Sequence, residues 1–447
     1  MINLNISKNY IYLIFLIIPS YAIGIAITEI FVFLTIILFF LFNRNIHLFK
    51  DKKVIFLLFF SLLASASGLK NLEYDDLKLA SIFYIRFVLL SVAIIYFFEK
   101  ISKNKSLNSN FLNFFLIIIS FIIFDSIIQF LIGTNLFGQE IQNHRVSGIF
   151  GKELILGSFL LYALPLTLSL LLLFDFDIKK KQVYLIFFFS FYLIAIYISG
   201  ARTPIFLTIL FLIIIIFFEK NFKKIILKCL VIFALFAICE ANYEFGKTRV
   251  FHKVFFITFI QITDHFYHPP DNLNNEKTNQ KEKINKKELS FKNKTKEFFD
   301  NLVLFSDDHQ NHYLLALKLF KEKPFFGNGP KGFRNYCRNV KYNPPVGICS
   351  THPHNFFFQI LSELGLVGIF FYFLGIFFLF YRLINSFLFK KKSQNNSLFF
   401  IISTGLLILF FPIIPSGNFF NNWISIVNYF YIGIYIYLYN QIYSYKY

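Results

Sequence analysis

The sequence predicts an all-α, polytopic membrane protein of about 12 transmembrane helices, with a partly helical cap on one face. Three observations carry that expectation. Of the 447 residues, 56% are hydrophobic. Apolar runs repeatedly approach the roughly 20 residues that a helix needs to cross a bilayer. Basic residues collect in alternate connections between those runs, the distribution that fixes orientation in a membrane.

In chain order, the spans fall near residues 10–28, 29–43, 54–69, 79–98, 111–133, 153–174, 183–198, 203–218, 225–239, 355–380, 397–413 and 421–441. The clusters RNIHLFKDKK, EKISKNK, DIKKK, EKNFKK and YRLINSFLFKKK occupy the even-to-odd connections. Short basic loops stay in the cytoplasm, so both termini are expected there. The opposite set, KNLEYDDLK, NLFGQEIQNHRVSGIFGKE, YISGART and residues 240–353, is expected to face outward. Residues 1–26, with Lys8 ahead of an apolar stretch and small residues at YAIGIA, have features of a signal peptide. A second apolar run follows at once and the loop parity holds with the first run retained, which favours a first span. The chain then divides into spans one to nine (1–239), an outward cap (240–353) and spans ten to twelve (354–447). The formal charge of +19 assigns no nucleic-acid partner: Lys, Asn, Ile and Phe are abundant together, as an A/T-rich coding sequence produces.

Within the cap, DNLNNEKTNQKEKINKKELSFKNKTKE is Lys/Asn-rich with few large apolar residues, so about 265–300 is expected to be flexible. NHYLLALKLFKEK has helical apolar spacing, and PFFGNGPKGFRNYC follows as a Pro/Gly turn. Cys229 and Cys239 fall in the ninth span as core residues. Cys337 and Cys349 lie in the cap, where an oxidising compartment allows a disulfide that spacing alone does not establish.

The stretch STHPHNFFFQILSELGLVG marks the tenth span. Ser350 or Thr351 is expected to cap it, with Pro353 and His354 in its first turn. A helix N-terminus favours neutral imidazole and attracts anions, which makes His354 a candidate general base. At 100° per residue, Asn355, Gln359, Ser362 and Glu363 form a polar stripe that lipid does not tolerate. Gly365 and Gly368 permit close helix packing. The plainer alternative is an interfacial histidine above a polar helix contact. In YISGARTP, Thr203 is expected to cap and Pro204 to begin the eighth span, leaving Arg202 beside a positive helix end. That position suits a phosphate clamp, or an arginine snorkelling to lipid headgroups. HRVSGIFGKE brings Arg145, Lys152 and Glu153 to the same face, with Gly148 and Gly151 marking a turn; Arg334, Arg338 and Lys331 add charge from the cap. Arg86 and Asp125, both within spans, are expected to form a structural ion pair. No P-loop, zinc-ligand spacing or Gly-x-Ser-x-Gly elbow is present, so no metal or cofactor is assigned.

The succession RVSGIFGKELILGSFLLYALPL, SGART, KEKPFFGNGPKGF and HPHNFFFQILSELGLVG resembles the O-antigen ligase and O-antigen polymerase superfamily of bacterial inner-membrane glycosyltransferases, over roughly residues 140–375. The resemblance implies a GT-C-like helical architecture with a large periplasmic loop. It also implies transfer of a glycan from an undecaprenyl diphosphate carrier to an acceptor, without metal or nucleotide sugar. By that resemblance His354 corresponds to the base and Arg202 to a diphosphate ligand; by charge and position Arg145 and Arg334 are expected to join them on the diphosphate, with Asn355, Gln359, Glu363 and Lys152 in support. In one respect the chain departs: SDDHQNHYLLALK places His309 where members often carry a cap arginine, for which Arg334 is the candidate substitute. The acceptor is lipid A core in a ligase or a growing carrier-linked chain in a polymerase, with ligase favoured by the single large late loop. A transporter or flippase would instead place charges at the bilayer midplane, and a structural subunit would separate Arg202 from His354.

Overall fold

A computed structural model of the chain describes residues 13–42, 46–71, 81–103, 109–174, 177–243, 246–247, 250–251, 307–338, 349–388, 393–412 and 414–443. Their regular elements are helical: α1 (Ile25–Phe42), α2 (Lys52–Asn71), α3 (Ile85–Lys103), α4 (Ser109–Ile132), α5 (Leu156–Leu173), α6 (Gln182–Ile198), α7 (Arg202–Phe218), α8 (Lys220–Tyr243), α9 (Asp307–Glu322), α10 (Gly332–Arg338), α11 (Phe356–Leu388), α12 (Gln394–Leu409) and α13 (Asn422–Tyr443). Among the described residues five helices, within α1, α2, α4, α5 and α11, are long and apolar enough to cross a membrane, and shorter apolar helices accompany them. The protein is a helical membrane protein. The segment expected to be flexible, 265–300, lies outside the described residues.

The first expected span differs. Leu13–Ala22 is a short apolar helical segment ending in the 3-10 turn Pro19–Ala22, and the chain breaks at Gly24, φ +147°. Pro19 has no amide to donate and Gly24 takes a backbone conformation that side-chain-bearing residues avoid. The next helix therefore begins at Ile25 rather than at residue 29. Cys239 also departs from expectation: it is exposed, whereas Cys229 is buried and donates to Ile186 O at 3.4 Å. Ten residues at about 100° each leave the two thiols on different faces of α8.

Contacts sort the helix ends into two layers. In one layer Asn440 donates to Asp51 (2.7 Å), Gln394 donates to Leu172 O (2.6 Å), and Phe218 at the end of α7 stacks on Phe400 and lies 6.3 Å from Phe387 near the end of α11. Lys52, Lys53, Lys180, Lys220 and Arg382 belong to the same helix ends. In the other layer Tyr21 donates to Trp423 O (3.2 Å), Ser67 to Phe326 O (2.6 Å) and Ser416 N to His354 O (2.8 Å). Because α7 and α11 both terminate in the basic layer, Arg202 and Phe356 both start their helices in the opposite one.

The core centres on α13, which is buried nearly all round and packs on α3 and α12. It also repairs a defect in α5. Pro165 interrupts the regular bonding of that helix, and Tyr431 of α13 bridges the opening: its hydroxyl donates to Tyr162 O (2.6 Å) and accepts from Leu166 N (3.0 Å). Tyr431→Phe strands both backbone groups away from water and is expected to cost about 1–3 kcal/mol. Thermal unfolding in detergent reads this directly; an unchanged melting temperature would show that the bridge contributes nothing.

Candidate active site

The site is assembled around a break in α11. Gly365 has φ +66° and ψ −159°, a region essentially reserved for glycine. The turn PFFGNGP pairs with the backbone on both sides of the break. Asn328 N and Gly329 N donate to Ser362 O (3.0 Å) and Glu363 O (2.8 Å), while Leu366 N and Val367 N donate to Pro324 O (2.8 Å) and Phe325 O (3.2 Å). Gly365 is thus a docking point for the cap rather than the helix-packing position expected, and Gly368 faces Leu364 and Ile360 of its own helix. The cap has a small core of its own, Leu315, Ala316, Leu319, Phe333 and Tyr336, with Phe358 of α11 packed against it.

The polar stripe of α11 is buried, and its work is to fix this junction. Glu363 accepts from Phe333 N in the first turn of α10 (3.2 Å) and from Gln359 Nε2 (3.1 Å). Gln359 also donates to Asn418 Oδ1 (2.8 Å) and accepts from Phe419 N (2.9 Å). Asn355 caps α11 by accepting from Phe358 N (3.2 Å) and donates to Pro412 O (2.9 Å). The expected cap at Ser350 or Thr351 is therefore displaced: the helix starts at Phe356, and Pro353 and His354 precede it. The reason is local. His354 has φ +56°, which a helical turn cannot accommodate.

That conformation turns the His354 ring into a cluster of imidazoles. Its Nε2 lies 3.0 Å from Ser350 Oγ, and ring centroids of His352, His312 and His309 lie 4.0, 5.3 and 5.7 Å away. Burial, followed by the nearby His312 and His309, pushes the His354 pKa down to about 4. Burial and His354 push His352 to about 3, with Arg334 contributing in the same direction. Both rings are neutral at physiological pH, and the dominant cause is desolvation rather than the helix end invoked from sequence. Two buried nitrogens here, Arg334 Nε and His352 Nε2, have no hydrogen-bond partner among the described residues. Because the folded state holds these histidines deprotonated, it binds fewer protons than the unfolded chain once pH falls below the unperturbed value of about 6.5. Against a His352→Asn/His354→Asn variant, the wild type is expected to lose stability between about pH 6.5 and 5, above the carboxylate range. A stability difference between the two that stays constant over that window would contradict the burial of these rings.

The arginines expected to bind anions lie around the start of α7. Arg202 is the first residue of that helix and is exposed; its N-cap is Ala201, and no side chain caps it. Thr203 is therefore inside the helix rather than at its cap. Arg145 packs over Gly200, donating from Nε to Ser199 O (3.2 Å) and from Nη2 to Leu154 O (3.2 Å). Its cation thus satisfies the C-terminal turn of α6, a favourable location for positive charge. Lys152 is exposed beside it. The histidine group and the arginine group occupy the same layer, and α12 packs against both α7 and α11.

Arg86 does not pair with Asp125. It bonds Glu29 of α1 (3.1 Å) and Phe83 O (2.9 Å), since α3 packs on α1. Asp125 instead accepts from Leu136 N (2.9 Å) and Asn135 Nδ2 (3.5 Å), and Gln129 one turn later accepts from Ser147 N and Gly148 N. Together they brace the loop from which Arg145 projects. Cys337 and Cys349 are bonded, with Cα atoms 5.5 Å apart, tying α10 to the histidine turn. Among the described residues no three His, Cys, Asp or Glu side chains are placed to hold a metal ion. His312, His352 and Glu29 had escaped the sequence reading. The spacing of His309 and His312, three apart on a helix and so on one face, was the available signal for the first of them.

The family model for O-antigen ligase matches residues 300–373, the stretch that holds α9, α10, the histidine turn and the broken start of α11. No curated protein matches the chain.

Proposed function

We propose that this chain, whose residues 300–373 match the family model for O-antigen ligase, belongs to that superfamily and transfers a glycan from an undecaprenyl diphosphate carrier to an acceptor sugar under its cap. The observation that carries the reading is the buried histidine turn, with the unpartnered donor Arg334 Nε beside it. Buried donors without partners cost free energy unless a ligand completes them, and a diphosphate supplies acceptors.

In this reading the chain crosses the inner membrane twelve times in a GT-C-like arrangement, with both termini cytoplasmic and the capped layer periplasmic. The carrier diphosphate meets Arg334, Arg202 and the start of α7, and its charge raises the basicity of the neutral His354. With Nε2–H donated to Ser350, Nδ1 keeps the lone pair that takes the acceptor hydroxyl proton. The acceptor oxygen bonds to the anomeric carbon, the bond to the phosphate oxygen breaks, and the diphosphate leaves with that electron pair, inverting the centre. Positioning and charge stabilisation supply the catalysis without a metal. Ligation to lipid A core is the favoured acceptor, and chain polymerisation is the second reading within the superfamily.

Purified protein incubated with carrier-linked glycan and either lipid A core or a second carrier-linked glycan tests this. Inverted product on the first acceptor is expected. Product on the second alone would make the protein a polymerase, and no product on either would refute the transferase reading.

A further inference from the structure

Between α2, α11, α12 and α13 lies a partly open cavity of about 370 Å³, within the range of small-ligand sites; one end reaches Phe410 and Phe419, which pack on Phe356. Its walls are apolar, from Phe56, Leu57 and Phe60 on α2 to Phe371, Leu374 and Leu379 on α11, and Lys52 and Lys53 form one end. We propose that this cavity holds an acyl chain of an anionic phospholipid from the leaflet on the basic side of the bundle, its phosphate resting on Lys52, Lys53 and Arg382.

Depth supports the leaflet. From Lys52 to Phe60 the helix rises about 12 Å, and half of a hydrocarbon core of about 30 Å is about 15 Å. Along α2 the cavity therefore begins at its cationic end and spans one leaflet's depth, and beyond that depth it continues to Phe410 and Phe419. Charge supports the headgroup. Lys53 Nζ lies 4.5 Å from the Tyr439 ring centroid and the Arg382 guanidinium 5.0 Å from the same ring. Arg382 is further surrounded by Phe378, Tyr381 and Tyr443 at 5.0–5.4 Å, and its buried Nε meets no acceptor among the described residues. Asp51 is the carboxylate at this spot, and Lys53 (2.9 Å) and Asn440 (2.7 Å) already engage it. Three cations against one carboxylate, above an apolar slot, match a phosphodiester with a hydrocarbon tail. This inference is independent of the reaction proposed above.

Gly375 supplies the test. It lines the cavity, and a Cβ built on it meets nothing within 4 Å. Gly375→Leu therefore starts its side chain in open space on the cavity wall, narrows the slot and improves helix propensity. Purified full-length protein in detergent would be melted with phosphatidylglycerol, with phosphatidylcholine of identical chains, and with polyprenyl phosphate. Phosphatidylglycerol is expected to raise the melting temperature by about 3 °C or more at saturation, phosphatidylcholine by less, and polyprenyl phosphate not to compete. The triple variant K52Q/K53Q/R382Q should lose the discrimination between headgroups, and Gly375→Leu should lose the shift while melting no lower than the wild type. Equal shifts from both phospholipids would overturn the proposal. So would a full shift in Gly375→Leu, or displacement of phosphatidylglycerol by polyprenyl phosphate.

Discussion

His354→Asn is expected to lower the turnover of glycan transfer by about 10²–10⁴-fold, the usual contribution of a positioned acid–base group, while leaving donor affinity and melting temperature near wild type. Asparagine is the informative substitution because His354 sits at φ +56°, which Asn tolerates and Ala tolerates less well. Loss of activity then reports the imidazole and not the backbone. The bond that His354 O accepts from Ser416 N (2.8 Å) survives the change. The measurement is single-turnover transfer with donor pre-bound, beside a separate binding isotherm. Turnover within a few-fold of wild type would remove His354 from the chemistry.

Gly327→Ala is expected to have the largest structural effect at the site. At φ +68°, Gly327 lies against the backbone of Glu363 and Leu364, so a methyl group there overlaps main chain that no rotamer change can move. The strain and the loosening of the bonds from Asn328 N and Gly329 N to α11 should together cost on the order of 3 kcal/mol. Because the turn carries α10 and Arg334, transfer should fall with it, and protease cleavage within residues 307–338 should accelerate. A Gly365→Ala variant, which blocks the break from the other side against Phe325 and Pro324, should behave alike. Either variant with wild-type proteolysis and activity would show that the cap does not need this junction.

Much of the helical scaffold was legible because long hydrophobic runs report apolar helices through solvent transfer alone. So was the burial of Asn355, Gln359, Ser362 and Glu363, since lipid excludes such a stripe. What those residues bond was not legible. Glu363 holds the start of α10, some 30 residues earlier in the chain, and hydropathy carries no record of such partners. The broken helix was missed because Gly365 reads equally as a packing glycine or as a break, and only the returning PFFGNGP turn decides. The cap at Asn355 was missed because Ser350, Thr351 and Asn355 all suit an N-cap, and the positive φ of His354 made the choice. Pairing Arg86 with Asp125 failed for a related reason: charge and depth suggested the match, but packing of α3 on α1 brought Glu29 closer.

The proposed reaction requires the histidine turn to be an outward-facing site that a carrier diphosphate occupies. Thr351→Cys in a Cys239→Ser background tests it most directly, since Thr351 is exposed and its Oγ1 lies 2.9 Å from His352 Nδ1, while Cys239 is an exposed native thiol. In intact cells a membrane-impermeant thiol reagent applied from outside is expected to label this cysteine, and polyprenyl-diphosphate-linked glycan is expected to slow the labelling. Labelling only after the membrane is permeabilised, or at a rate indifferent to the glycan donor, would contradict the account.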